Sequence, residues 1–300
     1  MMKLVSRIRK EMRIFFLRNR IQLYYPQLRT VPGRVNLNYC RIGLEKGEDV
    51  IPDVEMHNLG DELSAVVVEY MLQKKGLSLD SPVRKTRHLY AIGSILFFGY
   101  QDATVWGSGL LTEPSWVRCF ARGRLFRMLD IRCVRGPRTA KVMRKAGFQC
   151  PDVYGDPGCL MPLIYTPAVE KRLEYVVIPH HSKEEELRKI LPAENIVSMA
   201  TADYKAVIDQ ICSAKKVISS SLHGIILAEA YGVPAIFYQD RPASFSYKYA
   251  DWYESTGRTQ WPVTSDLREA IAMDVDFVPD LSKMQRDLME SFPYDLWEAT

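Results

Sequence analysis

The sequence predicts an α/β protein made of two parallel-sheet domains, on three observations. Short β-branched apolar runs alternate with amphipathic helical stretches through both halves of the chain. Each run empties into a polar loop at its carboxyl end, before a helix, as in Rossmann-like units. A length of 300 residues with 47% apolar side chains suffices for two cores. The stretch 165–172 reads as the linker, giving domains at 35–164 and 165–300 behind an arm and linker at 1–34. The two domains are expected to face each other across a cleft.

Residues 2–25 read as one amphipathic helix, with Val5, Ile8, Met12, Phe15, Phe16 and Leu23 near helical spacing. Residues 1–35 hold nine Lys or Arg against the single acid Glu11, a net +8, while the rest of the chain carries −4. The overall +4 gives no reason to expect nucleic acid as a partner. Such a helix suits the surface of an anionic leaflet, on the inner face of the cell membrane. The alternative is a helix packed on the body or on a second subunit. No stretch approaches 18 apolar residues, so no spanning helix is expected. The N-terminus also lacks the uninterrupted apolar segment of a signal peptide. The six cysteines (40, 119, 133, 150, 159, 212) form neither a CxxC pair nor a zinc-spaced cluster. Reduced thiols in a cytoplasmic protein, with no metal site, are expected.

Pro26, Pro32 and Gly33 end the arm, and residues 35–40 form the first strand. The next helix is expected over 62–75, with Asp61 as its N-cap. Strands follow at 88–95 and 103–106, the latter opening into Gly107-Ser108-Gly109, a turn that lets a ligand approach backbone closely. A strand at 131–135 leads through Gly136-Pro137 into a helix ending near Ala146, which leaves Arg135 at a strand's carboxyl end. Arg135 there is either half of a surface ion pair or a bidentate grip on phosphate or carboxylate. Asp156, in Gly155-Asp156-Pro157-Gly158, is a turn residue or a site residue.

In the second half, a strand at 174–178 ends in Pro179-His180-His181-Ser182, so His180 can face the cleft. A helix at 184–191, a strand at 195–199 and a helix at 203–213 precede the most informative stretch, 217–238. Val217 and Ile218 lie in a buried strand, and Ser219, Ser220 and Ser221 leave it as a loop. A helix over 222–230 ends at Gly232, and Pro234 starts the next strand. A polar loop feeding a helix N-terminus is an anion site. His223 in the first helical turn can exchange a proton beside that anion, although a packed or capping histidine reads equally well from spacing alone. Gln239-Asp240-Arg241-Pro242 makes a further loop at a strand end, and helices follow at 244–254, 266–273 and 281–291.

Several of these motifs together resemble one family. The run Ser219-Ser220-Ser221-Leu222-His223-Gly224, followed by Ala228-Glu229-Ala230-Tyr231-Gly232-Val233-Pro234, resembles the C-terminal signature of the polysaccharide pyruvyl transferases. These are the ketal-pyruvate transferases of bacterial exopolysaccharide and capsule. Asn58-Leu59-Gly60-Asp61, Val105-Trp106-Gly107-Ser108-Gly109, Arg135 and Gly155-Asp156-Pro157 resemble further family motifs, over roughly 35–245. The resemblance implies a two-domain architecture similar to GT-B glycosyltransferases. It also implies phosphoenolpyruvate as co-substrate, two hydroxyls of one sugar as acceptor, a cyclic ketal as product, and no cofactor or metal. On that basis His223 is the candidate acid, with His180 second and Arg135 gripping the donor. Donor contacts come from Gly107, Ser108, Ser219, Ser220, Ser221 and Leu222, and acceptor contacts from Asn58 and Asp61. Asp156, Glu229 and Arg241 are left without a fixed role. One departure stands out: several family members have Arg where this chain has Ser221.

Two rival readings differ in class. A nucleotide-sugar GT-B glycosyltransferase would hold a ribose with Glu229. A non-catalytic scaffold on the membrane would need neither His223 nor Arg135. The basic arm suggests a polyprenyl-diphosphate-linked oligosaccharide as acceptor.

Overall fold

A computed structural model describes Val5 and residues 30–39, 57–97, 101–121, 123–125 and 127–298, without the side chains of 117, 118, 121 and 244. The helix expected over 2–25 lies outside the described residues apart from Val5. The rest is α/β with two four-stranded sheets, each wholly parallel.

The first sheet runs in chain order: β1 (Val35–Asn38), β2 (Arg87–Tyr90), β3 (Ala103–Trp106) and β4 (Leu129–Cys133). Its strands are shorter than the apolar runs suggest. The run expected over 88–95 stops pairing at Tyr90, and Ile95 returns only as a single antiparallel bridge to Leu110. Helix α1 (Leu59–Gln73) buries Leu59, Leu63, Val67 and Met71 along one stripe. It begins three residues earlier than the Asp61 N-cap reading places it. Asn58 is the N-cap, and its carbonyl accepts from the amides of Asp61 and Glu62. Asp61 therefore sits inside the first turn, facing inward at 7% exposure. Helices α2 (Trp116–Ala121) and α3 (Pro137–Lys145) flank β4, and Pro137 opens α3 where a missing N–H costs nothing.

The second sheet is β5 (Leu173–Ile178), β6 (Ala214–Ser219), β7 (Ala235–Tyr238) and β8 (Val263–Thr264). The strand expected over 195–199 is reduced to one parallel bridge, Val177 to Ile196, on the far side of β5. That bridge matters for the site. The chain steps from β5 one way to Ile196 and then the other way to β6, so its direction across the sheet reverses at β5. The crevice between the carboxyl ends of β5 and β6 is therefore a topological switch point, where open α/β sheets bind ligands. The helices of this half are α4 (Glu184–Leu187), α5 (Tyr204–Cys212), α6 (Leu222–Ala230), α7 (Tyr247–Ser255), α8 (Leu267–Ala272) and α9 (Ser282–Glu290). Helix α6 is apolar nearly all round because it is buried nearly all round, from Leu222 to Glu229.

The halves are tied by packing and by polar contacts. Met71, Trp106 and Leu160 share one apolar cluster with Ile225, Trp252 and Leu288. Trp106 Nε1 donates to the Leu288 carbonyl at 2.9 Å, and the Tyr294 hydroxyl donates to the Met71 carbonyl at 2.8 Å. The C-terminal segment thus packs on the first half. Among the described residues, no helix is long and apolar enough to cross a membrane.

Candidate active site

The first turns of α1 and α6 abut. A Cβ built on Gly60 would stand 1.8 Å from Nδ1 of His223, so only a glycine lets the imidazole lie on this helix. Neither N-cap side chain, Asn58 or Ser221, accepts from a backbone amide of its own helix, which leaves first-turn amides of both helices without a side-chain cap. The other ring nitrogen, Nε2, lies 3.7 Å from Oδ2 of Asp156. Both atoms are buried and neither has a hydrogen-bond partner. An imidazole nitrogen and a carboxylate oxygen held just outside bonding distance, both unsatisfied, is a costly arrangement that a ligand group would relieve. Asp156 also serves as a turn residue. Its Oδ1 accepts from the Gly158 amide at 3.0 Å and caps the 3-10 turn Pro157–Leu163. The two roles weighed for this residue are thus compatible through its two oxygens.

Asp61 completes this corner. Its Oδ2 accepts from Asn58 Nδ2 at 2.6 Å. Its other oxygen rests on Gly93, where a Cβ would approach it to 2.4 Å. Burial pushes the Asp61 carboxyl up to about 6, against the pull of His223, Lys248 and the Asn58 hydrogen bond. A carboxyl poised there can take or give a proton near neutrality.

Replacing Gly60 by alanine is expected to cut activity at least about tenfold by expelling the His223 ring. Stability should stay within about 1 kcal/mol, because alanine favours the helix. Thermal unfolding and an activity assay on the same preparation check this. A fully active variant would show that the ring need not lie on this turn.

A family model described as polysaccharide pyruvyl transferase matches residues 58–239, from the N-cap of α1 to the residue after β7. The chain belongs to the polysaccharide pyruvyl transferase family. It is also 25% identical over 186 residues to the uncharacterized protein L143 of Acanthamoeba polyphaga mimivirus. That stretch covers 59% of this chain and 62% of the viral protein. No solved structure matches the chain at a significant level.

In this member of the family, Arg135 is neither on the surface nor free. It is fully buried, and its Nε and Nη2 lie 3.2 and 3.1 Å from Oδ2 of Asp251. Nη1 donates to Ser94 Oγ at 2.8 Å, and Nη2 donates to the Leu110 carbonyl at 2.7 Å. The guanidinium lies on Gly109, where a Cβ would meet Cζ at 2.4 Å. Gly109 in turn donates its amide to the Gly93 carbonyl, so Arg135 and Asp61 rest on two linked glycines. Gly107 and Ser108 are consumed by the scaffold. Gly107 has φ 93° and packs on Pro157, and the Ser108 hydroxyl donates to the Gly93 carbonyl at 2.8 Å.

In the serine loop Ser219 is satisfied locally, whereas the Ser220 hydroxyl is buried with no hydrogen-bond partner. Ser219 Oγ accepts from the Ser221 amide at 3.0 Å and donates to the Ser221 carbonyl at 2.8 Å. The Ser220 carbonyl accepts from the Tyr249 hydroxyl at 2.6 Å, and Leu222 is core at 2% exposure. His180 stands at the switch point, as its position after the strand suggests, but Arg241 Nη1 lies 2.9 Å from its Nε2. A guanidinium can only donate, so that nitrogen carries no proton. Burial, with His181 and Arg241 nearby, lowers the His180 ring to about 3. A ring kept neutral in this way is poorly suited to deliver a proton. Glu229 is buried and fully engaged: Arg258 donates to both its oxygens, at 2.7 and 2.8 Å, and Trp252 Nε1 donates at 2.8 Å.

Lys248 escapes sequence reasoning. It shares a pocket with Asp240, Arg241, Phe245 and Tyr249, beside the serine loop. Burial, with Arg135 and Arg241 close by, lowers its ammonium to about 8. It follows the matched motifs in the chain, on a helix otherwise rich in tyrosine and tryptophan. The only signal in the sequence is a lysine between Tyr247 and Tyr249 on an otherwise buried face. Among the described residues no three His, Cys, Asp or Glu side chains gather at metal-binding distance.

Proposed function

We propose that this chain moves pyruvate from phosphoenolpyruvate to two hydroxyls of one sugar, forming a cyclic ketal. The observation that supports this most is the His223–Asp156 pair, unsatisfied and buried between two helix N-termini. On this reading the two sheets are the halves of a GT-B-like pair, and the donor lies in the seam between them. His223 gives a proton to the methylene carbon of the enol, with Asp156 offering a counter-charge. A sugar hydroxyl adds at C2, passing its proton to Asp61. The bond from C2 to the bridging oxygen breaks, and the second hydroxyl closes the ketal. Of the two hydroxyl protons lost, one replaces the proton spent at the methyl carbon and one leaves on phosphate, so atoms and charge balance. No redox step is required.

The negative charges of the donor need cations, and Arg135 is largely committed to Asp251. Lys248 and Arg241 take that load, with the first turn of α6. This also accounts for Ser221 where several family members carry Arg. The acceptor on this reading is a polyprenyl-diphosphate-linked oligosaccharide, presented to a protein lying on the cytoplasmic face of the membrane through its basic arm. The glycosyltransferase reading is less favoured, because Arg258 and Trp252 occupy the carboxylate of Glu229 that would hold a ribose.

Mass measurement of candidate glycans incubated with phosphoenolpyruvate tests the reaction. The expected product has gained pyruvate less one water. Transfer of a sugar from a nucleotide donor instead would overturn the proposal.

The pH dependence follows from Lys248. Donor capture needs the ammonium, so kcat/KM for phosphoenolpyruvate should fall about tenfold per pH unit above roughly pH 8. Lys248→Met should raise KM for the donor at pH 7 and make that KM insensitive to pH above roughly pH 8. An unchanged alkaline limb in the variant would assign it to another group.

A further inference from the structure

Arg241 is held differently from Arg135 and Arg258. Those two are each paired with a carboxylate, at 3.1 and 2.7 Å. The described contacts of the Arg241 guanidinium are instead with two neutral rings. Its Cζ lies 3.8 Å from the centre of the Phe245 ring, and its Nη1 lies 2.9 Å from Nε2 of His180. An aromatic face and an uncharged lone pair both orient a cation without cancelling its charge.

His180 is itself anchored. It follows β5 after Pro179, and its Nδ1 lies 2.9 Å from Ser182 Oγ. A neutral imidazole carries one N–H, and a guanidinium can only donate to Nε2. The N–H therefore sits on Nδ1 and donates to the Ser182 hydroxyl. The Ser182 amide, 3.3 Å from the same nitrogen, then lies beside it without donating. The His181 ring backs the His180 ring, with centres 4.0 Å apart.

Arg241 follows β7, and β6 lies between β5 and β7 in the sheet. The contact between His180 and Arg241 thus joins the two strands that flank β6, at the end where the serine loop leaves it. Arg241 lines a pocket there with Asp240, Lys248 and Tyr249. An arginine without such a clamp must give up the freedom of a long stem when an anion binds. We propose that His180 is a positioning residue, which fixes Arg241 in advance for the anionic groups of the donor. This role rests on the reading that Arg241 helps to bind phosphoenolpyruvate.

Calorimetric titration of the full chain with phosphoenolpyruvate alone tests this role and needs no acceptor. Arg241→Ala should raise Kd at least about tenfold. His180→Ala should raise it roughly threefold to tenfold. His180→Phe, which keeps a ring and loses the acceptor, should do the same. His180→Gln, whose amide oxygen can accept near the place of Nε2, should recover most of the loss. Adding His180→Ala to Arg241→Ala should change Kd by less than about twofold, because the histidine acts only through the arginine. An unchanged Kd in His180→Ala and His180→Phe, no recovery in His180→Gln, or the same loss from His180→Ala with and without Arg241 would overturn the role of His180 and leave Arg241 on the donor. An Arg241→Ala variant that binds as tightly as wild type, or a wild-type chain that does not bind phosphoenolpyruvate, would instead overturn the donor reading and the role of His180 with it.

Discussion

Replacing His223 by alanine should lower the rate of pyruvate transfer by about 10²–10⁴-fold while the protein stays folded. The size follows from the role: a positioned proton donor is lost, whereas the donor-binding cations and both helix N-termini remain. The ring is 12% exposed and makes no hydrogen bond through Nε2, so little stability depends on it. Kinetics separate this from a binding role. If His223 acts on the methylene carbon, kcat should fall and KM for phosphoenolpyruvate should change little. Asp156→Asn should show a smaller kcat loss, because the ring stays but its counter-charge goes. A rise in KM with kcat preserved would make His223 a donor-binding group only.

The second large effect is on stability. Asp251→Ala leaves the Arg135 guanidinium buried and unpaired, which costs about 3–5 kcal/mol. It also strips the Thr139 amide and hydroxyl of the oxygens they donate to, at 2.9 and 2.7 Å. Set against the usual margin of about 5–15 kcal/mol, this should produce a large drop in the unfolding midpoint or failure to fold. The neighbouring pair Arg138–Glu254 is an internal control. It joins α3 to the same helix α7 at 2.7 Å but is 41% and 31% exposed, so Arg138→Ala should cost at most about 1 kcal/mol. The double variant Arg135→Met/Asp251→Leu removes both charges and should be more stable than Asp251→Ala alone. Denaturant unfolding of the four proteins distinguishes these outcomes. Equal small losses throughout would show that the buried pair is not what fixes α7 against α3.

These two predictions mark where the sequence was legible and where it was not. His223 is legible as a candidate because its surroundings are local: a strand, a polar loop and a helix first turn follow one another within a few residues. The alternation of apolar runs and helices likewise announced two parallel sheets. Strand lengths were less legible, since the apolar run from Ala91 to Leu96 is buried without pairing as strand, apart from one bridge. Asp61 reads as a cap because Asp and Asn both cap helices; Asn58 occupies that position, which leaves Asp61 facing inward. Arg135 is legible as a residue just past a strand end, but its partner is 116 residues away on α7. Nothing in the local pattern announces such a partner. The same distance hid Lys248, and it concealed why residue 60 must be glycine: the reason is a ring from the other half of the chain.

The most direct test of the account follows the proton. With phosphoenolpyruvate and a soluble glycan acceptor in deuterium oxide, the wild-type chain should give a ketal whose methyl group carries one solvent-derived deuterium. His223→Ala, folded and still binding donor, should give almost no ketal. A ketal formed at the wild-type rate by the variant, or one with no deuterium in its methyl group from the wild type, would contradict the assignment of His223.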